Sequence, residues 1–268
     1  MNLITSFRER LNSRVPGEDG GMEQDFIVRV CMHHAEDEQL SAYVVQCADA
    51  LIEHHACTPA NAKALFFALE RTGDNRYETA IRAVLEELNA KAVSKDAPLS
   101  ALAEELPFRM AYEMKLNRME GVGRTAAAYR QAHLQTWDEK KQLHRMGKGF
   151  SLREEAAFLL ALTDGIAACS EQLYEHWRAL VDLYRVCLSG VLRHLNAQTL
   201  LTSNLKASDT PDLAGTAIVL YALLSGVQLG LIDPERYLPL AQKCLAALRQ
   251  QGQAPAVTLI ELVFGVKA

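Results

Sequence analysis

Two carboxylates in the sequence stand where a helix end or an aromatic neighbour would position them for chemistry. Asp212 precedes a run of small residues, Ala214-Gly215-Thr216-Ala217, so it would stand at the open end of a buried helix able to line the bottom of a pocket. The alternative is a helix cap, in which its side chain accepts a hydrogen bond from a free backbone N–H. Asp138 follows Trp137, and an indole beside a carboxylate suits a flat ligand that carries hydroxyl groups. A carboxyl whose pKa is raised by burial can donate a proton and then take it back, so general acid–base catalysis is the chemistry considered first.

A basic and an acidic side chain could complete such a site. The planar guanidinium of Arg153 can hold a carboxylate through two parallel hydrogen bonds, but a surface ion pair with Glu154 or Glu155 is an equal alternative. Glu105, next to Glu104, could contribute a further carboxylate at the site, or could simply lie on a solvated helix face.

Other residue types with chemical potential do not predict a metal or an organic cofactor. The doublets His33-His34 and His54-His55 lie on predicted helices, where adjacent side chains point about 100° apart and cannot chelate one ion. Gly121-Val122-Gly123-Arg124 follows a helix rather than a strand, so we interpret it as a turn between helices and not as a phosphate loop. No CxxC pair occurs, and most cysteines fall on apolar helix faces, which predicts reduced, buried thiols. The six are Cys31, Cys47, Cys57, Cys169, Cys187 and Cys244.

Composition and charge exclude several classes of partner. The chain has 268 residues, of which 49% are apolar, enough for a sizeable core. Its net charge of −5 argues against a nucleic-acid or anionic-membrane partner. No run approaches the ~20 apolar residues needed to cross a bilayer. The sequence MNLITSFRERLNSRV has charges where a signal peptide needs an apolar centre, so we expect a cytoplasmic protein. A homo-oligomer stays open.

The elements that must position these residues are helices throughout. Apolar residues return every three or four positions, no convincing strand is found, and the connections are short. Thr210 is predicted to cap one helix with Pro211 in its first turn, whereas Gly230 ends that helix, Asp233 caps the next and Pro234 opens it. Ten to twelve helices in antiparallel pairs follow, in a single domain over residues 1–268 with an N-terminal arm, 1–21, of uncertain order. The predicted helices cover residues 3–14, 22–35, 38–56, 59–71, 76–91, 99–117, 120–137, 151–168, 171–196, 211–229, 234–248 and 257–264.

Five stretches, in order along residues 60–250, carry a resemblance to a known family. They are LFFALERTGDNRYETA (65–80), LPFRMAYEMKLNRMEG (106–121), Trp137-Asp138-Glu139, REEAAFLLALTD (153–164) and DLAGTAIVLYALLSGVQLG (212–230). As an ordered set they resemble the motifs of the unsaturated uronyl hydrolases, glycoside hydrolase families 88 and 105. The resemblance implies an all-α fold, an (α/α)6-barrel-like toroid of antiparallel helix pairs. Because the chain is shorter than a usual member, an incomplete ring is an alternative.

The resemblance also implies a reaction and a set of site residues. Family members hydrate the double bond of the 4,5-unsaturated uronic acid that polysaccharide lyases leave on oligosaccharides, using an aspartic acid and no cofactor. Asp212 takes the place of a family glutamate, and the position of the family's acid falls on Ser100. We therefore expect Asp212 and Asp138 as catalytic residues. Substrate-binding roles are expected for Trp137, Arg153 and Glu105.

Three functions remain open from the sequence. The first is an active unsaturated glycuronyl hydrolase with an altered acid and an oligosaccharide substrate. The second is a catalytically degenerate relative that acts as a binding or regulatory module, and the third is an unrelated helical-repeat scaffold. A ring packs its first helices near its last, whereas an open solenoid keeps them apart.

Overall fold

The chain is all-α in the part described by a computed structural model, residues 3–16, 21–91, 98–206 and 210–267. Twelve α-helices and one two-stranded hairpin occur in these residues. The helices are α1 (Leu3–Leu11), α2 (Met22–His33), α3 (Glu38–Glu53), α4 (Lys63–Thr72), α5 (Asn75–Ala90), α6 (Leu99–Lys115), α7 (Val122–Thr136), α8 (Leu152–Ala168), α9 (Tyr174–Leu192), α10 (Leu213–Gln228), α11 (Pro234–Gln250) and α12 (Ala254–Phe264). The strands are β1 (Trp137–Asp138) and β2 (Leu143–His144).

The predicted helices all form, mostly with slightly shorter bounds. Within the predicted N-terminal arm, α1 is a regular helix that buries Phe7 and Leu11, while residues 17–20 lie outside the described part. Residues 92–97, between α5 and α6, also lie outside it. No single helix in the described ranges is long and apolar enough to cross a membrane; α8 and α9 meet that test only when joined across a bend of 107°.

The described residues divide into two compact units. The first combines the described residues up to position 91 with Pro255–Val266, and the second comprises the described residues from 98 to 254. We call them unit 1 and unit 2. The prediction of a single domain stays a prediction.

Unit 1 brings the last helix to the first ones. The imidazole of His34, directly after α2, lies 2.9 Å from the carbonyl oxygen of Leu262 in α12 and donates to it. Helices α3, α4 and α5 pack in sequence, and Gly73 ends α4 in the left-handed region at a φ of 69°. Asp74 then caps α5 by accepting a hydrogen bond from the Arg76 N–H. The residue that follows α2 is therefore in contact with the last helix, α12.

Unit 2 is built around α8, which packs against α6, α9 and α10. The first turn of α6 bonds to the first turn of α8 through Ser100 and Glu154. A Cβ on Gly215, in the first turn of α10, would lie 2.7 Å from the Leu152 side chain of α8. These contacts show that α6, α8 and α10 start at the same end of the unit. Helices α6, α8 and α10 therefore lie side by side and parallel, and α7 and α9 come between them along the chain, as in a repeat of helix pairs.

Two local expectations are corrected. The sequence predicted no strand, but β1 and β2 pair antiparallel, with Trp137 opposite His144 and Asp138 opposite Leu143. The start of α10 was predicted to use Thr210 and Pro211. Instead Asp212 is the N-cap, and Pro211 forms an isolated bridge with Thr202. The Asp212 carboxylate is the better cap because it accepts the free N–H of the first helical turn.

Candidate functional site

The first turn of α8, Leu152–Glu155, is where most of the predicted site residues converge. Leu152 and Glu155 are fully buried, Glu154 is half-buried, and Arg153 is exposed. Helical geometry points these four consecutive side chains in different directions, so one turn reaches α6, the β hairpin, α10 and solvent. We call this turn the α8 hub.

On the α6 side of the hub, Glu154 bonds to Ser100. Its two carboxylate oxygens accept from the backbone N–H of Ser100 at 2.6 Å and from its hydroxyl at 2.9 Å. Helix α6 begins after Pro98, which offers no capping side chain, so Glu154 satisfies a backbone donor that the helix leaves free. The position at which the family resemblance implies an acid thus holds a serine bonded to a glutamate of the neighbouring helix.

On the α10 side of the hub, Asp212 caps the helix. One carboxylate oxygen accepts from the Gly215 N–H at 2.9 Å, and the hydroxyl of Thr216 donates to the Asp212 carbonyl at 2.7 Å. Gly215 is required because any side chain there would meet Leu152. Asp212 is half-buried and beside the hub, as a pocket carboxylate should be, and it also fulfils the alternative role of a cap. Its catalytic role stays a prediction.

Arg153 projects from the hub into solvent. Within the described residues it makes no ion pair, so the predicted alternative of pairing with Glu154 or Glu155 does not occur. Its guanidinium is available to an anionic ligand. Glu105 is placed differently, because it forms an ion pair with Arg109 on its own helix, at 2.5 Å, and Glu104 beside it is exposed.

The Asp138 carboxylate organises the turn between β1 and β2. One oxygen accepts the backbone N–H groups of Lys140 and Lys141 at 2.9 and 3.0 Å. The other accepts from the Arg145 side chain, with Nε at 2.7 Å. The Lys141 N–H and the Arg145 guanidinium, together with Lys140, lower the pKa of Asp138 below its ordinary value. An ionised carboxylate with both oxygens engaged is suited to holding the hairpin and poorly suited to donating a proton.

Trp137 belongs to a buried polar cluster that the sequence did not predict. Its ring lies 4.5 Å from the ring of His133 and 5.0 Å from that of His144, measured between centroids. His133 Nδ1 is 3.0 Å from His144 Nε2 and 3.8 Å from the sulfur of Cys187. His144 and Cys187 are fully buried, and His133 is 9% exposed. We call His133, His144, Cys187 and Glu155 the His–Cys cluster.

Glu155 ties the His–Cys cluster to the hub. Its carboxylate accepts from the backbone N–H of His144 at 2.5 Å, and its second oxygen lies 2.9 Å from His144 Nδ1. A carboxylate at Nδ1 requires a proton there, which leaves the neutral form of His144 with a free lone pair on Nε2, facing His133. Burial, followed by the proximity of His144, lowers the pKa of His133 to about 4. Burial also raises the pKa of the Cys187 thiol well above its ordinary value.

One signal in the sequence could have revealed this cluster. Glu155 shares a helix face with Leu159, Leu162 and Ile166, so a carboxylate stands on the buried stripe of α8. A buried carboxylate needs a polar partner from another element. Periodicity cannot identify that partner, because His144 comes from a strand that the sequence pattern does not show.

Groups of both charge signs lie at this end of unit 2. Helices α6, α8 and α10 all begin here, and the first turn of a helix carries a partial positive charge from its unpaired N–H groups. The carboxylates of Glu154 and Asp212 accept N–H groups from the first turns of α6 and α10, and Arg153 adds a full positive charge. A shallow, open depression elsewhere, in unit 1, contains none of the predicted site residues; it is lined by Glu38, Ser41, Ala42, Val45, Gln46 and Arg71.

Comparison with known proteins relates the fold to carbohydrate-active enzymes. No protein-family model matches the sequence, and no curated protein matches it. Among solved structures, a glycoside hydrolase of family 105 from C. acetobutylicum ATCC 824 has a TM-score of 0.77 at 16% identity, covering 93% of this chain and 82% of that one. A glycosyl hydrolase of family 88 from Bacteroides vulgatus has a TM-score of 0.74 at 14% identity, covering 95% and 86%. A protein described as a polysaccharide lyase has a TM-score of 0.71 at 16% identity, covering 91% and 81%.

At these identities the likeness shows the fold. The fold class predicted from the sequence, an all-α toroid of helix pairs, is confirmed, and so is the resemblance to glycoside hydrolase families 88 and 105 at the level of the fold. Since one of the three solved structures is described as a lyase, the fold by itself does not assign a reaction.

Proposed function

We propose that this protein hydrolyses terminal 4,5-unsaturated uronic acid from lyase-generated oligosaccharides by hydration of the double bond. The observation that carries the proposal is the convergence at the α8 hub. Asp212, Arg153 and Trp137 come from three separate stretches of the family resemblance, and Ser100 stands at the position of the family's acid. All four lie on or next to this one turn, directly or through His144. The likeness to family 88 and 105 structures supports it.

The hub offers the interactions that a terminal uronate needs. Arg153 is exposed and can hold the carboxylate of the sugar through its planar fork. Trp137 is partly exposed beside His133, so its indole is the candidate platform for the sugar ring.

Proton transfer is assigned to Asp212. The cap bond to the Gly215 N–H occupies one of its oxygens, and the second remains for the substrate. Protonation of the double bond by this carboxyl, followed by addition of water at the neighbouring carbon, gives a hemiketal that opens and releases the saccharide. Asp138 is assigned to the support of the hairpin, since its lowered pKa keeps it ionised.

The test is loss of the ultraviolet absorbance of the unsaturated uronate when the protein is mixed with lyase-made fragments of rhamnogalacturonan, chondroitin and ulvan. Asp212→Asn should abolish the loss. Asp233→Asn is the matched control, because Asp233 is also a helix N-cap, accepting from the Glu235 N–H at 2.9 Å. Asparagine caps helices as well as aspartate does, so both variants should remain folded. Absorbance loss that is equal in the two variants would remove Asp212 from the reaction.

A binding protein without catalysis is the second candidate function. The observation that favours it is Ser100, which stands at the family's acid position and is tied to Glu154. This alternative predicts saturable binding of the same fragments, weakened by Arg153→Gln, with no change in absorbance. No binding and no turnover on any of the three fragment types would leave only the helical scaffold.

The expected location, partner and oligomeric state of the protein are proposals as well. A cytoplasmic location is consistent with six free cysteines, five of them buried. An oligosaccharide is the proposed partner, and the net charge of −5 argues against binding to nucleic acid. Size-exclusion chromatography with light scattering would test for a homo-oligomer.

A further inference from the structure

We propose that His133, His144 and Cys187 bind one divalent transition-metal ion, with Zn²⁺ as the ion that suits the ligands. One potential ligand atom from each residue, an imidazole nitrogen or the sulfur, lies within 4.8 Å of the other two. Two imidazoles and a thiolate form a ligand set typical of zinc, and three protein ligands leave a fourth tetrahedral position for water or a small ligand. No metal was predicted from the sequence, because adjacent histidines cannot chelate one ion and the cysteines form no CxxC pair.

Two of the three ligand separations are close to those that a tetrahedral ion imposes. With zinc–nitrogen bonds of about 2.05 Å and a zinc–sulfur bond of about 2.3 Å, two nitrogens stand about 3.4 Å apart and a nitrogen and a sulfur about 3.6 Å apart. His133 Nδ1 is 3.0 Å from His144 Nε2 and 3.8 Å from the Cys187 sulfur. Small rotations of the two rings would open the first distance and replace their mutual hydrogen bond with two bonds to the ion.

Glu155 supplies the outer support that metal-binding histidines require. A histidine ligand usually donates its other N–H to a carboxylate, which fixes the ring and directs the free lone pair at the metal. The Glu155 oxygen 2.9 Å from His144 Nδ1 is placed to do this, and its partner oxygen holds the His144 backbone N–H. The ring of Phe158, 5.1 Å away, and that of Trp137 restrain His144 further.

Charge also favours an ion. Glu155 is fully buried, and within the described ranges its charged partner is a histidine and not a lysine or arginine. A divalent cation bound by the Cys187 thiolate leaves one positive charge, which the Glu155 carboxylate balances. Binding would release the thiol proton of Cys187 to solvent. The ion would join His133 of α7, His144 of β2 and Cys187 of α9, and so hold the hairpin that carries Trp137 against α7 and α9.

The experiment uses the full-length protein, stripped with a chelator and titrated with Co²⁺ and then Zn²⁺. The expected result is a tetrahedral cobalt spectrum with a thiolate-to-cobalt charge-transfer band, displaced by about one equivalent of Zn²⁺, and a melting temperature that rises with Zn²⁺. Cys187→Ser should lose the charge-transfer band. Cys244→Ser, a substitution of another buried thiol in unit 2, should keep it. Glu155→Gln should weaken Zn²⁺ binding by about 10- to 100-fold.

The readouts do not depend on hydrolysis, so this proposal can fail or succeed separately from the proposed function. Folded wild-type protein that shows neither a cobalt band nor a Zn²⁺-dependent melting shift would overturn it, whether or not the Cys187 variant folds. A charge-transfer band that persists in Cys187→Ser would also overturn it. In either case the cluster would be a metal-free hydrogen-bonded brace from Glu155 through His144 to His133.

Discussion

Substitution of Gly190 by alanine should displace the β1–β2 hairpin, because α9 and the hairpin turn are in direct backbone contact there. A Cβ on Gly190 would lie 2.0 Å from the carbonyl oxygen of Gln142 and 3.1 Å from its carbonyl carbon. These are backbone atoms, so no side-chain rotation can relieve the overlap. Gln142 is itself in the left-handed region at a φ of 55°, and its N–H bonds to the Asp138 carbonyl at 2.6 Å, so the turn has little freedom to retreat.

The expected loss of stability follows from two opposing terms. Overpacking of a close contact costs about 1–3 kcal/mol, and an overlap with fixed backbone belongs at or above the upper end of that range. Alanine in place of glycine within a helix returns about 1 kcal/mol. We therefore expect the free energy of unfolding of Gly190→Ala to fall by about 2 kcal/mol.

Urea unfolding followed by circular dichroism would measure this change. The control is Gly123→Ala in α7, whose Cβ would meet only the side chain of His176 at 3.3 Å. That variant should be neutral or slightly stabilised. In a Trp177→Phe background, Trp137 is the remaining tryptophan of the two in the chain, and its emission should shift to the red in Gly190→Ala as the hairpin lifts. Equal stability of the two glycine variants, with unchanged emission, would refute the argument that α9 fixes the hairpin.

Two further predictions concern buried or half-buried ionic contacts. Burial alone would raise the pKa of Asp25, but Arg29 and Lys63 outweigh it and lower the pKa from 3.8 to about 2. Because its pKa is lowered on folding, the ionised Asp25 carboxylate stabilises the folded state above pH 4, and this contribution is lost as the pH falls toward 2. Asp25→Asn should therefore lower the free energy of unfolding by about 2 kcal/mol at pH 7 and by little near pH 2, as measured by urea titration. Glu154→Ala should lower the free energy of unfolding by about 1–3 kcal/mol, since the backbone N–H and the hydroxyl of Ser100 both lose their acceptor. The same substitution should cost less in a Ser100→Ala background, where the hydroxyl is already absent. An equal cost in the two backgrounds would show that the hydroxyl contributes nothing.

Helix periodicity was sufficient to predict an all-helical chain and the places of its helices, whereas the toroid was implied by the family resemblance. Buried stripes such as that of α8 repeat with the helical period, and caps such as Asp74 and Asp233 are local, so both can be read without tertiary information. The β1–β2 hairpin was missed because strands of two residues have no periodicity to detect. Its existence depends on Asp138, whose carboxylate closes the turn by accepting two backbone N–H groups.

The candidate site could be predicted only in part. The family resemblance selected Arg153, Trp137 and Asp212, and the structure places them around one helical turn. Glu105 instead pairs with Arg109, because a neighbour one turn along the same helix is always within reach, whereas a distant ligand is not. The His–Cys cluster joins residues separated by up to 54 positions, and no local rule brings them together.

The pairing of α12 with the first helices has a consequence for the order in which the chain can be completed during translation. The described helices α6 to α11 of unit 2 precede residue 254, so they can associate while the chain is still emerging from the ribosome. The carbonyl of Leu262 that receives the His34 hydrogen bond is synthesised only after these helices. The contact between His34 and α12 therefore forms after the helices of unit 2 have been made.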